Sequence, residues 1–456
     1  MARNLTRCNE HQKKAARRLP LGVSSNYRYW GDRTLYVARA RGARLWDLDG
    51  NEYVDYRLGY GPAILGYAHP EVDAAAREGI EIGGVTALST EREFEVAERI
   101  SRMVPAAELV RFSGSGTEAV MAALRLARAY TGRDEHIQVE GAFHGLFDSV
   151  LWRTDLREVD GRVEGTLVPE SEGIPRLISQ LLHQVPLNDC QRLEDVFRRR
   201  GGSIGALLIE PIQGNCCGIP ATREYLETAR KLCDRHGVVM IVDEVKTGFR
   251  VARGGAQELL GVRADLCTFA KAMANGYPIS AIAGRAEIMR RLGPGVPQGG
   301  TYAAHPVALA AAAKTLEIIE ETDALERVER HARRLQQGIG AILARRGVPH
   351  SFVGHPSMGG IVLSPQAPQS CRDWVRSDYA LYDAMALRLN ELGILCEPDS
   401  WEPWFVSTAH DATTLATTLE RFELALDATL EARERQRRVT APAAGAPALP
   451  LPVPAV

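Results

Sequence analysis

The sequence has almost no surplus of charge, because 55 Lys and Arg residues face 57 Asp and Glu residues, for a formal net charge of −2. This balance gives no electrostatic basis for nucleic-acid binding. Long apolar runs are also missing. The longest uncharged stretch, residues 292–313, is interrupted by Pro294 and Pro297, whereas a membrane span needs about 20 apolar residues. We therefore expect neither a nucleic acid nor a membrane as partner.

The eight cysteines include no CxxC pair, so the sequence predicts no zinc-ribbon site and no other metal site. Thiols without a pattern in a long chain are typical of a reducing compartment, and we expect a cytoplasmic protein. The motif GxxxxGK(S/T) is also absent, which argues against a nucleotide triphosphatase of the P-loop type.

What is present is an ordinary globular composition, with 45% hydrophobic and 25% charged residues. Compact apolar runs at 205–210 and 238–244 flank a helical pattern at 222–237, with Thr222 as its N-cap and Gly237 at its end. Strand–helix–strand alternation predicts a parallel sheet with helices on both faces. The expected fold class is therefore α/β.

The domain organisation is expected to follow changes in sequence pattern. Asp49-Gly50 lies between alternating apolar residues, which predicts a hairpin. Long amphipathic helix patterns begin after about residue 310. We expect a basic solvated arm (1–20), an N-terminal segment that joins the small domain (21–69), a large domain (70–310), a smaller α+β domain (311–438) and a disordered Pro/Ala tail (439–456).

The first segment that could carry chemistry is Ser-Gly-Ser-Gly-Thr at 113–117, between a short apolar run and a helical pattern. Glycines let backbone N–H groups approach an anion, a helix start has unpaired N–H donors, and Ser115 and Thr117 add hydroxyls, so the segment predicts a phosphate site. It also fits a plain N-capped turn. Gly114-x-Gly116-x-x-Ala119 further fits the dinucleotide fingerprint, so the segment alone leaves the cofactor open.

Two further segments place a charged residue at the end of a predicted buried strand. Asp243 ends VVMIVD, at the position where a carboxylate of an open α/β sheet can hold a cationic ring nitrogen. Lys271 follows LCTFA and is surrounded by apolar residues. Burial would lower the pKa of that lysine and make its amine a nucleophile. A helix cap at Asp243 and a surface lysine at 271 are the plainer alternatives.

Five residues in shorter motifs are candidates that, taken singly, also fit core or turn positions. They are Phe143 and His144 in AFHG, Glu210 and Asn215 in EPIQGN, and Thr301 in GGT.

Taken together and in order, these segments resemble the class III aminotransferases, which are pyridoxal-phosphate enzymes of fold type I. The resemblance covers about residues 25–430 and includes WDLDGNEYVDY, SGSGTEAVMAALRLARAYTGR, AFHG, EPIQGN, DEVKTGFR, TFAKAMANGYP and QGGTYAAHPVALAAA. It implies a large domain around a mainly parallel sheet of the seven-stranded type. The smaller α+β domain would be built from the N- and C-terminal segments.

The resemblance also implies roles for the candidate residues. Lys271 would form the internal aldimine (Schiff base) with pyridoxal 5′-phosphate, and Asp243 would keep the pyridine nitrogen protonated. Thr301 would reach the phosphate of a neighbouring subunit, which implies a homodimer with shared active sites. The other implied cofactor contacts are the phosphate cup Ser115, Gly116 and Thr117, the ring-stacking Phe143, Asn215 near the ring hydroxyl, Val245 on the other ring face, and His144 and Glu210.

The branch of the family is indicated less directly. Arg28 in SSNYRYW matches the arginine that binds the substrate carboxylate in glutamate-1-semialdehyde aminomutases, whereas TFAKAMANGYP and the absence of a Gly/Ser-rich gating loop in 146–173 resemble ordinary aminotransferases. We expect an aminotransferase that moves an amino group from an amino acid or amino-carboxylate to a keto acid or aldehyde. The aminomutase is the alternative. A non-catalytic protein of this fold is a further hypothesis, which the presence of both Lys271 and Asp243 argues against. A nicotinamide dehydrogenase is another, which the ordered set of seven motifs argues against.

Overall fold

Helices and short strands alternate through most of the chain, of which the computed structural model describes residues 3–293 and 295–439. The α-helices of these residues are α1 (Thr6–Ala15), α2 (Pro70–Glu81), α3 (Glu91–Met103), α4 (Gly116–Thr131), α5 (Cys190–Arg200), α6 (Arg223–His236), α7 (Gly255–Leu260), α8 (Ala286–Met289), α9 (Pro306–Glu321), α10 (Ala324–Arg345), α11 (Cys371–Trp374), α12 (Tyr379–Leu392) and α13 (Ala412–Val439).

The strands form one large sheet and several small ones. They are β1 (Val37–Arg41), β2 (Arg44–Asp47), β3 (Glu52–Asp55), β4 (Leu109–Ser113), β5 (Glu135–Val139), β6 (Trp152–Val159), β7 (Arg162–Pro169), β8 (Leu182–Val185), β9 (Ile204–Ile209), β10 (Ile212–Gln213), β11 (Ile219–Pro220), β12 (Val239–Asp243), β13 (Leu266–Phe269), β14 (Ser280–Gly284), β15 (Ser351–His355), β16 (Met358–Val362), β17 (Ile394–Leu395) and β18 (Trp404–Phe405).

The central sheet has seven strands in the order β4-β14-β13-β12-β9-β5-β8. Its strands run parallel except β14, which is antiparallel to both β13 and β4. Strands β5, β9, β12, β13 and β14 are buried along their whole length. Burial of both faces explains why β9 and β12 are nearly continuous apolar runs rather than alternating ones. The expected mainly parallel α/β sheet is therefore present.

The N-terminal hairpin shares a sheet with the C-terminal part of the chain. Strands β2 and β3 are antiparallel around Asp49-Gly50, as the turn residues predict, and β17 pairs with β3 in parallel. A second small sheet has the order β15-β16-β18. Strand β18 is two residues long and pairs with the start of β16.

The helix predicted at 222–237 shows how local capping sets an element's limits. Helix α6 spans Arg223–His236, the Thr222 side chain accepts a hydrogen bond from the Tyr225 N–H, and Gly237 closes the helix with φ of 62°. The helix begins where the Thr222 hydroxyl accepts a hydrogen bond from an otherwise free N–H group. It ends at Gly237, because glycine adopts the left-handed backbone conformation without a steric cost.

The N-terminal residues, predicted as a basic solvated arm, are mostly exposed and include a helix. Residues 6–15 form α1, and its Cys8 side chain is fully buried. The Asp49 carboxylate of the hairpin turn accepts hydrogen bonds from the Arg7 and Cys8 N–H groups, at 2.8 and 2.9 Å. The tail predicted to be disordered lies, from residue 440 onward, outside the described residues. No helix in the described part of the chain is long and apolar enough to cross a membrane.

Arg250, in the motif DEVKTGFR, joins segments that are far apart in sequence. Its side chain is 1% exposed. Nη1 donates to the carbonyls of Ser357 and Val406 at 3.1 and 2.9 Å, and Nη2 donates to the Gly61 carbonyl. A buried guanidinium that satisfies three carbonyls ties the central sheet to both the N-terminal and C-terminal segments.

Replacing Arg250 with alanine should lower the free energy of unfolding by about 3 kcal/mol or more. Three buried carbonyls would lose their hydrogen-bond donor and remain removed from water, which destabilises the folded state. The matched control is Arg223→Ala, since Arg223 is exposed and forms an ion pair with the exposed Glu227, and a change within about 0.5 kcal/mol is expected there. Urea unfolding followed by circular dichroism measures both. Equal, small changes would contradict the structural role of Arg250.

Candidate active site

The candidate site lies at the edge of the central sheet where the parallel strands β4, β5, β9, β12 and β13 end. Each strand is followed there by residues that the sequence predicts for the site. Carboxyl ends of parallel strands share one edge, so these residues come together in space. They are Ser115–Thr117 after β4, Phe143 and His144 after β5, Glu210 after β9, Asp243 at the end of β12, and Lys271 after β13.

Asp243 is 3% exposed and is held by three hydrogen bonds. Oδ1 accepts from the Val245 N–H and from the Thr268 hydroxyl, both at 3.0 Å, and Oδ2 lies 2.8 Å from Nδ1 of His144. A carboxylate can accept about four hydrogen bonds, so one position stays available for a donor such as a ring N–H.

His144 has a defined proton position because of this contact. A carboxylate only accepts, so Nδ1 of His144 carries the proton that it donates to Asp243. Nε2 of His144 is buried and has no hydrogen-bond partner within the described residues. An orphaned, buried acceptor of this kind indicates that a ligand group belongs beside it.

Lys271 begins a short 3-10 helix with φ of 46°, a backbone conformation that is costly for a residue with a Cβ and concentrates at functional sites. Among the described residues, none forms a hydrogen bond or ion pair with its amine. Its pKa is lowered from 10.5 to about 7, first because burial disfavours the charged amine and then because Lys246 is positive. The carboxylates of Glu402, Glu210 and Asp243 act in the opposite direction. The amine is therefore largely neutral just above pH 7.

The glycine segment forms the start of α4, with Ser115 as the N-cap. Its hydroxyl accepts from the Glu118 N–H at 3.3 Å, and the Glu118 carboxylate accepts from the Ser115 N–H at 3.0 Å. The N–H groups of Gly116 and Thr117 have no acceptor within the described residues. A Cβ at Gly116 would lie 3.1 Å from Val245, so only glycine lets this loop approach the end of β12 so closely.

Thr117 and Glu210 connect the loops around the site. Thr117 Oγ1 accepts from the Leu146 N–H at 3.3 Å. Glu210 is buried and accepts from the N–H groups of Phe143 and Gly214, each at 2.9 Å. Burial raises the pKa of Glu210, and the charge of Asp243 raises it further. These contacts fix the segment that carries Phe143 and His144 against the sheet edge.

Asn215 takes part in a polar cluster that the sequence does not reveal. The amine of Lys246 donates to Asn215 Oδ1 at 2.6 Å, to the Gly214 carbonyl at 2.8 Å and to Glu402, whose Oε2 is 3.0 Å away. The Asn215 amide also donates to Glu402 at 2.9 Å. Lys246 is 6% exposed, so this is a buried, paired cation next to the site. Its only signal in the sequence is a lysine that follows the apolar strand and Val245 in the motif DEVKTGFR.

Two predicted residues lie at the surface of the chain. The Arg28 side chain is exposed and makes no polar contact within the described residues, whereas the neighbouring Tyr27 ring packs edge-on against Phe143 at 6.3 Å. Thr301 is also exposed, and Tyr302 beside it is 69% exposed. The roles of Arg28 and Thr301 therefore stay predictions.

A second cluster missed by the sequence analysis lies beyond Tyr27. Arg57 Nε is 2.6 Å from Oε2 of Glu397, and Tyr60 donates its hydroxyl to the Tyr27 carbonyl at 2.9 Å. Burial raises the pKa of Tyr27 to about 12 and holds that of Tyr60 well above its ordinary value. Both phenols are therefore neutral hydrogen-bond donors near the site.

The donor set fits pyridoxal 5′-phosphate. The free N–H groups of Gly116 and Thr117 at a helix start suit its phosphate. The remaining acceptor position of Asp243 suits a protonated ring nitrogen, and the neutral amine of Lys271 suits its aldehyde. Phe143 and Val245 supply apolar surface next to these groups.

Comparison with known proteins gives the same assignment over nearly the whole chain. The family model for aminotransferase class III matches residues 28–422. A glutamate-1-semialdehyde 2,1-aminomutase of Methanothrix thermoacetophila is 39% identical over 426 residues, which cover 93% of this chain and 97% of that protein.

Two solved structures superpose on nearly the whole chain. An omega-transaminase from Sphaerobacter thermophilus superposes with a TM-score of 0.88 at 29% identity, over 94% of this chain and 100% of that one. The FumI protein of Sphingopyxis sp. MTA144, in its pyridoxal-phosphate internal aldimine form, superposes with a TM-score of 0.82 at 30% identity, over 94% and 98% of the two chains.

The lowered pKa of Lys271 predicts when its amine reacts. In protein freed of cofactor, the rate at which an added aldehyde attaches to Lys271 should rise with pH to half its maximum near pH 7, because only the neutral amine attacks. Lys246→Met should move this midpoint upward, since it removes a positive charge and leaves Glu402 unpaired. Stopped-flow absorbance at a series of pH values measures both. A midpoint near 10.5 in the unmodified protein would contradict the burial of the amine.

Proposed function

The chain belongs to the class III aminotransferases, and we propose that it moves an amino group from an amino acid or amino-carboxylate to a keto acid or aldehyde, with Lys271 as its central catalytic residue. It is a pyridoxal-phosphate-dependent enzyme. The observation that carries the proposal is the amine of Lys271, which has no hydrogen-bond partner among the described residues and a pKa near 7, close enough to the fixed carboxylate of Asp243 to interact with its charge.

The residues proposed to hold the cofactor follow from the free donors and acceptors. Gly116 and Thr117 N–H groups and the Ser115 and Thr117 hydroxyls would bind the phosphate, and Asp243 would accept from the ring nitrogen. Phe143 and Val245 would cover the two ring faces. When bound, the cofactor acts as an electron sink that stabilises negative charge at the Cα of the amine substrate.

Lys271 would then act as the acid and base of the reaction. A neutral amine at pH 7 can take the proton from Cα, and its ammonium form can return a proton at the neighbouring carbon of the cofactor. A pKa near the working pH suits both transfers. Asp243, held by Val245, Thr268 and His144, keeps the ring nitrogen in one position throughout.

Intramolecular transfer by an aminomutase is the second candidate function, and the 39% identical relative favours it. A structural observation favours intermolecular transfer. The region where an aminomutase gating loop is expected contains the antiparallel ribbon β6–β7, paired from Trp152↔Pro169 to Val159↔Arg162. A paired ribbon is less suited to opening and closing than a Gly/Ser-rich loop.

The proposal also includes the oligomeric state and the cellular location of the protein. The exposed Thr301 and Tyr302 support a homodimer in which this segment covers the partner's cofactor phosphate. All eight cysteines are free and seven are buried, which supports a reducing, cytoplasmic location.

Replacing Lys271 with alanine should lower turnover by at least about a thousandfold, because the proton-transferring group is lost. The purified protein should be yellow, and borohydride should leave the cofactor covalently bound to the peptide that contains Lys271. The control is Lys231→Ala on helix α6. Mass spectrometry of the reduced protein and the absorbance change on adding an amino donor measure these outcomes. Full activity of Lys271→Ala would contradict the assignment.

The two candidate functions differ in their need for an acceptor. An aminotransferase needs both an amino donor and a keto acid for repeated turnover, whereas an aminomutase converts glutamate-1-semialdehyde without an added acceptor. We expect steady turnover of an amino acid only when pyruvate or 2-oxoglutarate is present. Chromatography of the products measures this turnover. Steady isomerisation of glutamate-1-semialdehyde alone, at a higher kcat/KM, would assign the chain to the aminomutases instead.

A further inference from the structure

An arginine on helix α11 forms a two-point ion pair with the carboxylate that follows strand β5. The Glu140 side chain is 4% exposed. Nε and Nη2 of Arg372 donate to Oε2 and Oε1 of Glu140, each at 2.7 Å. Two parallel charge-assisted hydrogen bonds fix both the distance and the orientation of the partners. The two residues are 232 positions apart, so this pair joins the central sheet to the C-terminal part of the chain.

The backbone of Glu140 is held as firmly as its side chain. Its N–H donates to the Val185 carbonyl at the end of β8, at 2.9 Å. Its carbonyl accepts a hydrogen bond from the side-chain amide of Gln213 at 2.7 Å. Glu140 is therefore a fixed point at the start of the loop that follows β5.

This loop carries residues that are proposed to contact the cofactor or its carboxylate partner. Two residues separate Glu140 from Phe143, whose N–H donates to Glu210 at 2.9 Å. His144 comes next, and its Nδ1 lies 2.8 Å from Oδ2 of Asp243. Each residue of an extended chain spans only about 3.5 Å. A displacement of Glu140 would therefore be passed on to the Phe143 ring.

Helix α11 contacts the same loop a second time, through the residue before the arginine. A Cβ at Gly141 would lie 3.2 Å from Cβ of Cys371, and Cys371 is 1% exposed. Gly141 has φ of 77°, which favours glycine, so the loop turns directly against the helix. The packing at Cys371 and the ion pair of Arg372 together set the position of the loop relative to α11.

The same arginine also holds the β6–β7 ribbon. Nη1 of Arg372 donates to the Val163 carbonyl of β7 at 3.1 Å. A Cβ at Gly165 of this strand would lie 3.2 Å from Nη2 of Arg372 and 3.3 Å from Oε1 of Glu140. Helix α11, the ribbon and the loop after β5 therefore meet at one guanidinium.

We infer that Arg372 is a positioning residue for the proposed aminotransfer and acts through Glu140 on the loop that follows β5. It holds the start of this loop, so that the Phe143 ring and the His144–Asp243 hydrogen bond keep one geometry. The inference rests on the proposed function and deepens it, because it gives a residue of the C-terminal segment a part in positioning the cofactor.

The first test is Arg372→Met in the holoenzyme. This variant should lower kcat by about tenfold to a hundredfold, the cost of a small misplacement of reacting groups. The KM of the amino donor should stay nearly unchanged, because Arg372 does not touch the donor. The visible circular dichroism of the bound cofactor should weaken and the cofactor should be released faster, since the Phe143 ring is no longer fixed. Steady-state kinetics, circular dichroism and gel filtration followed by absorbance measure these changes.

A second variant removes the carboxylate instead of the arginine. If Arg372→Met does not fold, because it leaves a buried carboxylate unpaired, Glu140→Gln serves, since the remaining Arg372 side chain is 25% exposed and is reached by water. It should change kcat and dichroism in the same direction. The double variant should lose no more kcat than the weaker single variant, because the residues act as a unit. Losses that multiply in the double variant would overturn the inference. Arg372→Lys, which keeps the charge, should recover part of the dichroism.

The matched control is Arg200→Met, at the opposite end of β5. Nε of Arg200 donates at 3.1 Å to the carboxylate of Glu135, whose side chain is 10% exposed. This variant should lower the thermal stability but leave kcat and the visible dichroism unchanged. Equal changes of kcat and dichroism in the Arg200 and Arg372 variants would show that Arg372 only stabilises the fold, and would overturn the inference.

Dichroism and cofactor release separate this inference from the proposed function, because neither measurement needs turnover. If no amino donor were converted and Arg372→Met still weakened the dichroism and hastened release, only the proposed function would fail. If Arg372→Met transferred amino groups with unchanged kcat, dichroism and cofactor release, the positioning role would be refuted and aminotransfer would stand.

Discussion

The burial of one lysine amine beside a fixed carboxylate is the constraint on which the rest of the structure depends. A charged amine is expensive to bury without a partner, and Lys271 avoids this cost by having a pKa near 7. The carboxylate of Asp243 is instead satisfied by Val245, Thr268 and His144. The Lys271 amine is therefore available to react, whereas the Asp243 carboxylate is fixed in position. The strands that end at this sheet edge hold both residues in place.

The fold, and the meeting of the candidate residues at one sheet edge, could be predicted from the sequence because the signals lie in short segments. Asp243 and Lys271 directly follow apolar strands, and the ends of parallel strands meet at one edge. The limits of α6 follow from Thr222 and Gly237. Class III membership, read from the order of the motifs, agrees with the family match over residues 28–422.

The features that could not be predicted depend on contacts between residues distant in sequence. Lys246 and Glu402 are 156 positions apart, and nothing near Glu402 indicates a buried cation as its partner. Helix α1 could not be predicted from its own segment because its first N–H groups donate to Asp49, which lies outside that segment. The contact of Arg57 with the Trp30 ring could not be predicted, because the two residues belong to separate segments of the chain.

The residues of the candidate site come from two parts of the structure. Groups proposed to hold the cofactor come from the central sheet, whereas Arg57, Tyr60, Glu397 and Glu402 come from loops of the N- and C-terminal segments. Loop residues can change without disturbing the strands. A family built in this way can acquire new substrates by altering a few short loops while inheriting the same reaction chemistry. A mutant library confined to residues 27–30, 57–60 and 397–402 would therefore be the smallest one expected to change the substrate range.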